Sequence, residues 1–459
     1  MRVLICGAGQ VGFNIAKYLA SEDIDITVVD RRPDLIRTIQ DQLDVQAVVG
    51  HAAHPETLEQ AGANTADMMI AVTPQDEVNM VACQVAHSLF NVPTKIARVR
   101  SQSYLSPMWA NLYSRQNMPI DVIISPEYEV ARSISLLLEV PGALSVVPLC
   151  NDQIRMLGAR ASQDCPVVHT PLRQLSQLFP DLSIVILAII RNGQAWVPTG
   201  DDVLNPGDEV YFISETSKIS RALAVFGHEN QEAIRRVVIF GGGNIGVALA
   251  QHLETHDLDF NCKLIERNEE RAEFAAKSLS NTVVINGDVL DPEILDEAGI
   301  RTADTVIAIT DNDETNVLSA VLAKRHGVNR AITLTNKPEY NQLTGALGID
   351  TAINPREITV SSILQHVRRG RIHSVHAVYE GFGEVIEVDA LETSELVGKS
   401  IRSASLPHGI LLGAIIRKGE VVIPRGNTTV QAGDRVVLFA DKNSIRKVER
   451  LFAVRLNYI

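Results

Sequence analysis

Gly7-Ala8-Gly9-Gln10-Val11-Gly12 recurs as Gly241-Gly242-Gly243-Asn244-Ile245-Gly246, and the reading of the fold turns on that recurrence. Val28-Val29-Asp30-Arg31 returns as Leu264-Ile265-Glu266-Arg267, and Val49-Gly50-His51 returns as Asn286-Gly287-Asp288. Ile70-Ala71-Val72-Thr73 returns as Ile307-Ala308-Ile309-Thr310, with Asp76-Glu77 and Asn79 reappearing as Asp313-Glu314 and Asn316. The offset drifts only from 234 to 237. A second repeat lies between and after these copies. Ala188-Ile189-Ile190-Arg191, Gly193, Pro198, Gly200 and Gly207-Asp208 return as Ala414-Ile415-Ile416-Arg417, Gly419, Pro424, Gly426 and Gly433-Asp434, at a constant offset of 226. Ordered matches of this length mark duplication, and the order is large, small, large, small.

Each large module alternates short apolar runs with stretches of helical period. The first reads as strands at 2–6, 25–29, 46–49, 67–72 and 95–99, with helices at 10–20, 33–42, 55–62 and 76–90. A last strand at Asp121–Ser125 precedes a helix running to about 140. Strands separated by helices of this length predict a parallel, doubly wound α/β sheet, and continuous Val/Ile runs suit strands covered on both faces. The small modules carry closely spaced apolar runs at 182–213 and 409–439, broken by Asn192-Gly193, Pro198, Gly200 and Pro206-Gly207-Asp208. Those are turn signals between short strands, and with terminal helices at 216–225 and 443–452 they predict small α+β domains. The expected boundaries are 1–140, 141–228, 233–370 and 371–459.

The chain has 459 residues and a formal net charge of −13, an acidic balance that argues against a nucleic-acid partner and against adhesion to anionic lipid. Hydropathy shows no apolar run approaching a membrane span and no signal peptide, so a soluble, cytoplasmic chain is expected. The five cysteines Cys6, Cys83, Cys150, Cys165 and Cys262 include no CxxC pair, which suits reduced, buried thiols and no metal site.

A GxGxxG string means little without context. Here both copies follow an apolar strand and open a helix, and both have an acid at the end of the second strand: Asp30, 18 residues after Gly12, and Glu266, 20 after Gly246. Gly7 and Gly241 allow the tight turn, Gly9 and Gly243 let backbone approach a pyrophosphate, and Gly12 and Gly246 let helix pack on sheet. The helix start then offers free N–H groups and a positive dipole end. Asp30 and Glu266 are placed to accept from ribose hydroxyls and to repel a 2′-phosphate, which favours NAD(H) or adenosine nucleotides over NADP; Arg31 and Arg267 soften that exclusion. Asp288 adds a carboxylate at the third strand end of the second copy, where the first copy has His51. Thr73-Pro74 and Thr310-Asp311 end the fourth strands, where ligands of open α/β sheets bind, and Thr310-Asp311 also suits helix capping. Arg98 ends the fifth strand as a phosphate partner, against Thr333 or Leu334 in the second copy. The acidic clusters at 76–77 and 311–314 read as helix-dipole complements rather than as metal ligands. His169 and His408 stand alone, and no nucleophile–base spacing appears. Arg191 and Arg417, the shared cations of the small modules, read as strand-end ion pairs rather than anion sites.

Gly7–Gly12, Val28-Val29-Asp30, the Asp-Glu-x-Asn string 76–79 and Asn79–Ala86, with the large-small-large-small order, resemble the RCK/KTN family over essentially the whole chain. The resemblance implies two Rossmann-like N-domains, each followed by an RCK C-domain. It implies no catalysis but a regulatory, nucleotide-sensing role: a homodimer or homotetramer, peripheral on the cytoplasmic face of the inner membrane, beneath a potassium-conducting Trk-type membrane subunit. It implies NAD or NADH as ligand and, in some members, ATP or ADP. The family's nucleotide contacts carry over to Gly7, Ala8, Gly9, Gln10, Val11, Asp30, Thr73, Pro74 and Arg98. In the second copy they carry over to Gly241, Gly242, Gly243, Asn244, Ile245, Glu266, Asp288 and Thr310. Helices near 126–140 and 356–369 are expected to pass a nucleotide-driven movement to the membrane partner. An NAD-dependent oxidoreductase and a regulator of a cation/proton antiporter remain as alternatives.

Overall fold

The computed structural model describes the chain outside residues 21–23, 180–181, 230–232, 256–259, 368–371, 380, 405 and 453–459. Six strands make the first sheet: β1 (Arg2–Cys6), β2 (Asp25–Asp30), β3 (Gln46–Val49), β4 (Met68–Ala71), β5 (Thr94–Arg98) and β6 (Val122–Ile124). Their order is β3-β2-β1-β4-β5-β6 and every pairing is parallel. The order reverses between β1 and β4, so a crevice opens there beyond the strands' carboxyl ends. The core beneath it holds Leu4, Val29, Met69, Cys83 and Ala97, all buried.

An antiparallel sheet follows: β7 (Ala143–Leu149), β8 (Ile154–Arg160), β9 (Ile184–Arg191), β10 (Gln194–Trp196) and β11 (Glu209–Glu215), in the order β10-β9-β11-β8-β7. The second parallel sheet repeats the first with β12 (Arg236–Phe240), β13 (Asn261–Glu266), β14 (Val283–Asn286), β15 (Thr305–Ala308), β16 (Arg330–Leu334) and β17 (Thr351–Ile353), in the order β14-β13-β12-β15-β16-β17. The second antiparallel sheet repeats the other with β18 (Ile372–Val378), β19 (Gly383–Asp389), β20 (Ile410–Arg417), β21 (Glu420–Val422) and β22 (Arg435–Asp441), in the order β18-β19-β22-β20-β21. The α/β expectation with smaller α+β modules holds in both copies.

The hairpins β7–β8 and β18–β19 carry no sequence signal of the Asn-Gly or Pro-Gly kind. The first turns through Cys150, Asn151 and Asp152, all at positive φ (51°, 54° and 64°). Arg155 bonds both carboxylate oxygens of Asp152, at 2.6 and 2.7 Å, so side-chain pairing supports a turn that glycine would otherwise serve. Two compact units emerge: residues 1–129 with 355–363, and residues 130–354 with 364–459. The helix Pro355–Val367 therefore gives its first nine residues to the unit built on the first parallel sheet. Within the other unit the two antiparallel sheets share one apolar core, in which Met156, Leu187 and Ile213 meet Val385, Val437 and Phe439. Gly413 makes that approach possible, because a Cβ there would run into Ile213.

All five cysteines are free and buried, and burial pushes the thiols of Cys83, Cys150 and Cys262 up to about 12. Among the described residues no helix is long and apolar enough to cross a membrane.

Candidate functional site

The two glycine loops close in the same way. Gly7 and Gly241 sit at φ +115° and +111°, where L side chains are strained. The Gly7 and Gly241 N–H groups donate to Val29 O and Ile265 O, at 2.7 and 2.8 Å. A Cβ on Gly12 would collide with the Gly7 carbonyl, and one on Gly246 with the Gly241 carbonyl. By contrast, a Cβ on Gly9 or Gly243 would meet nothing within 4 Å. The outer glycines are thus demanded by the fold, while the middle ones leave open space on the side where a ligand would lie. Phe13 N donates to Gly9 O and Val247 N to Gly243 O as the first helical bonds, so the N–H groups of residues 10–12 and 244–246 have no intrahelical acceptor. That is a cradle for phosphate.

The acids behave alike. Asp30 accepts from Ala8 N at 2.7 Å and from Arg32 N at 2.9 Å. Glu266 accepts from Gly242 N at 2.7 Å and from Asn268 N at 2.9 Å. Each carboxylate therefore holds the glycine loop to its own strand end while keeping lone pairs for a ribose. Glu266 is one methylene longer than Asp30, and the loop compensates: a Cβ on Gly242 would sit 2.9 Å from Glu266 Cβ, whereas beside Asp30 the same position is Ala8.

A buried asparagine joins the fourth and fifth strands in each copy. Asn79 Oδ1 accepts from Thr73 N and Thr73 Oγ1, and its Nδ2 donates to Thr73 O and Arg98 O. Asn316 makes the same bonds to Thr310 and to Leu334 O. Both asparagines are 0% exposed. Beside them Asp76 accepts from Arg100 N and Ser101 N, and Asp313 from Asn336 N and Lys337 N. These four residues were visible only as a repeated Asp-Glu-x-Asn string. Asp76 and Asp313 tie down the loops after β5 and β16, a larger part than dipole complements. The capping expected of Thr310-Asp311 falls instead to Asn312, whose side chain accepts from Thr315 N.

Where the copies differ, the structure separates them further. Arg98 is ion-paired to Glu127 at 3.0 Å, with both side chains mostly buried. Its counterpart Leu334 has no charge. Pro74 lies exposed, its carbonyl taken by Arg100. His51 Nδ1 accepts from Ala53 N at 3.3 Å, and its ring stacks on His54 at 4.6 Å. Asp288 takes the equivalent bond from Leu290 N, and Asp291 caps the helix Pro292–Glu297. So a stacked histidine pair replaces a pair of turn-forming aspartates. In the small modules Arg191 and Arg417 grip Asp208 and Asp434 through paired bonds of 2.7–2.9 Å. Both aspartates are 2% exposed, so the Gly-Asp signature is scaffold.

Comparison with known proteins agrees with this architecture. The TrkA-N domain pattern matches residues 3–126 and 237–355, and the TrkA-C domain pattern matches 158–227 and 385–453. A Trk system potassium uptake protein TrkA of Azorhizobium caulinodans is 51% identical over 458 residues, covering 100% of both chains. One of Halomonas elongata is 42% identical over 463 residues, again covering 100% of both. The GsuK channel, solved bound to NAD, superposes with a TM-score of 0.60 at 18% identity, covering 99% of this chain and 79% of that one. At that identity the likeness concerns the fold.

Proposed function

This chain belongs to the TrkA family, and from that premise we propose that it is a nucleotide-sensing regulatory subunit of potassium uptake. In this reading it binds NAD(H), and ATP or ADP, at the two glycine loops. It gates a potassium-conducting membrane subunit from the cytoplasmic face of the inner membrane, as a homodimer or homotetramer. The observation that carries the reading is the pair of complete glycine-loop cradles, each closed by its acid, joined to small modules whose shared polar residues are spent on their own scaffold. The contacts proposed are Gly7–Val11, Asp30, Thr73, Pro74 and Arg98, and Gly241–Ile245, Glu266, Asp288 and Thr310.

A route for coupling supports it. The clamp Asn316 grips the carboxyl end of β16 at Leu334 O. At the other end of the same strand, Arg330 donates to Leu137 O at 2.9 Å and to Ala143 O at 2.5 Å. Its guanidinium is so enclosed that burial brings its pKa down to about 10. Five residues of sheet backbone thus connect the second cradle to the end of the helix Pro126–Glu139. A ligand shifts such an arrangement only by binding one state better than the other.

The test is calorimetry with NADH, NAD, ATP and ADP on the full chain, on Asp30→Ala and on Glu266→Ala, together with potassium uptake in cells lacking the chain. One binding site lost in each variant, and uptake impaired without the chain, is the expected result. Unchanged stoichiometry in both variants, or intact uptake, overturns the proposal. Steady turnover of NADH with a small carbonyl compound would instead favour an oxidoreductase.

A further inference from the structure

Arg271 has no part in the sequence-level reading, yet it lies against the second glycine loop. It stands in the first turn of the helix Glu269–Ser278, its N–H capped by Asn268 Oδ1. Its Nη2 donates to Gly242 O and to Asn244 Oδ1, both at 3.3 Å. Those are long bonds to neutral acceptors, and among the described residues no carboxylate pairs with this guanidinium. Arg98 at the end of β5 is neutralised by Glu127, as Arg191 and Arg417 of the small modules are by Asp208 and Asp434. In the first module the equivalent residue is Leu35, one before the buried Ile36 as Arg271 is one before the buried Ala272.

We propose that Arg271 is a specificity residue of the second nucleotide site, a cation held on the rim of the glycine loop to receive a phosphate group of an adenosine nucleotide. The inference rests on the nucleotide reading above and deepens it. A full positive charge resting on a carbonyl and an amide exchanges them for a phosphate oxygen with gain, because charge-assisted bonds exceed those to neutral groups. Arginine matches phosphate through its planar fork. The loop's own N–H groups and the helix dipole already draw the anion there, so the guanidinium acts in concert with them. The neighbouring acid Glu266 is held at the strand end by Gly242 N and Asn268 N, placed for the ribose rather than for the phosphates. The second module thereby has in Arg271 a cation at the loop rim, while at the Arg98 position it has the uncharged Leu334. With Leu35 in its place, the first site has an apolar rim at this point and depends less on phosphate number there.

The experiment is calorimetry on the full chain carrying Asp30→Ala, which leaves the second site to be read, with adenosine, AMP, ADP, ATP and NADH at several salt concentrations. Arg271→Gln keeps an N–H donor for Gly242 O and removes the charge. The expected result is a loss of roughly tenfold in affinity for the phosphate-bearing ligands. Adenosine binding should be unchanged, and the salt dependence of ADP binding shallower. Leu35→Arg, in a Glu266→Ala chain, should raise ADP affinity at the first site. Equal losses for adenosine and ADP would make Arg271 a brace of the loop and overturn the proposal, as would unaltered ADP binding. If the Asp30→Ala chain with Arg271 intact binds none of these ligands, the nucleotide reading of the second site fails and this inference fails with it.

Discussion

Replacing Gly242 with alanine should damage the second glycine loop, and shortening Glu266 to aspartate should not repair it. The added Cβ would stand 2.9 Å from Glu266 Cβ and 3.1 Å from both Glu266 Cγ and Leu264 Cδ2. Carbon atoms prefer about 3.5–4.0 Å, so each contact is short by about half an ångström or more, and overpacking of this kind costs about 1–3 kcal/mol. The backbone is no obstacle, since Gly242 is absent from the positive-φ glycines. The side chain that must yield is Glu266, and yielding breaks its bonds to Gly242 N and Asn268 N. In the first module Asp30 makes the corresponding bonds to Ala8 N and Arg32 N. Gly242→Ala is therefore expected to lose about 1–3 kcal/mol of stability and about tenfold in nucleotide affinity. Glu266→Asp alone should cost under about 1 kcal/mol for a lost methylene. Aspartate keeps the Cβ and Cγ that the new methyl group meets, so the double variant should be at least as destabilised as Gly242→Ala. Urea melts and calorimetry on the four chains measure it. A Gly242→Ala chain as stable as wild type would refute the argument that loop and acid are fitted to each other.

Three further outcomes follow from the same structure. Asn316→Ala leaves Thr310 N, Thr310 O and Leu334 O without their partner in a fully buried place, so a loss on the order of 3 kcal/mol is expected; a cost under about 1 kcal/mol in a urea melt would remove the clamp. For Asp434, burial would raise the carboxyl pKa, but the Arg417 guanidinium and Gln431 N outweigh it and hold it below its ordinary value. A carboxyl depressed in the fold contributes stability above its ordinary pKa that is lost as pH falls through its folded value. Arg417→Met leaves burial dominant, raises that pKa and moves the loss of stability up into the mildly acidic range; melting curves that stay parallel to wild type from pH 7 to 4 would contradict this. Arg330→Met leaves the Leu137 and Ala143 carbonyls without their donor, so amide hydrogen exchange around residues 137–143 should accelerate with nucleotide binding retained, and unchanged exchange there would break the proposed link.

Much of the architecture was legible because periodicity and repetition are local and redundant. The β1 to β6 strands and their helices fall where the apolar runs fall, since a strand buried on both faces must be continuously apolar. Duplication supplied a second reading of every element. The β7–β8 hairpin was not legible, because Cys150, Asn151 and Asp152 turn the chain without glycine or proline and rely on Arg155 to hold them. The candidate site divides in the same way. Gly7, Gly12, Gly241, Gly246, Asp30 and Glu266 announce themselves, as their roles depend on backbone geometry at fixed spacing. Asn79 and Asn316 were repeated letters whose meaning needed β4 and β5, or β15 and β16, to lie side by side.

What the sequence by itself determined was therefore the plan: two parallel-sheet modules with glycine-loop cradles, each followed by a smaller β-rich module. Only the tertiary structure decided which charges are spent and which are free. Arg98, expected to meet a phosphate, is ion-paired with Glu127, while Arg271, which had no part in the sequence reading, rests unneutralised on the glycine loop. The physical reason is that a side chain's charge acts over a few ångströms, and which groups share that distance is settled by strands and helices remote in the chain, not by its neighbours in sequence.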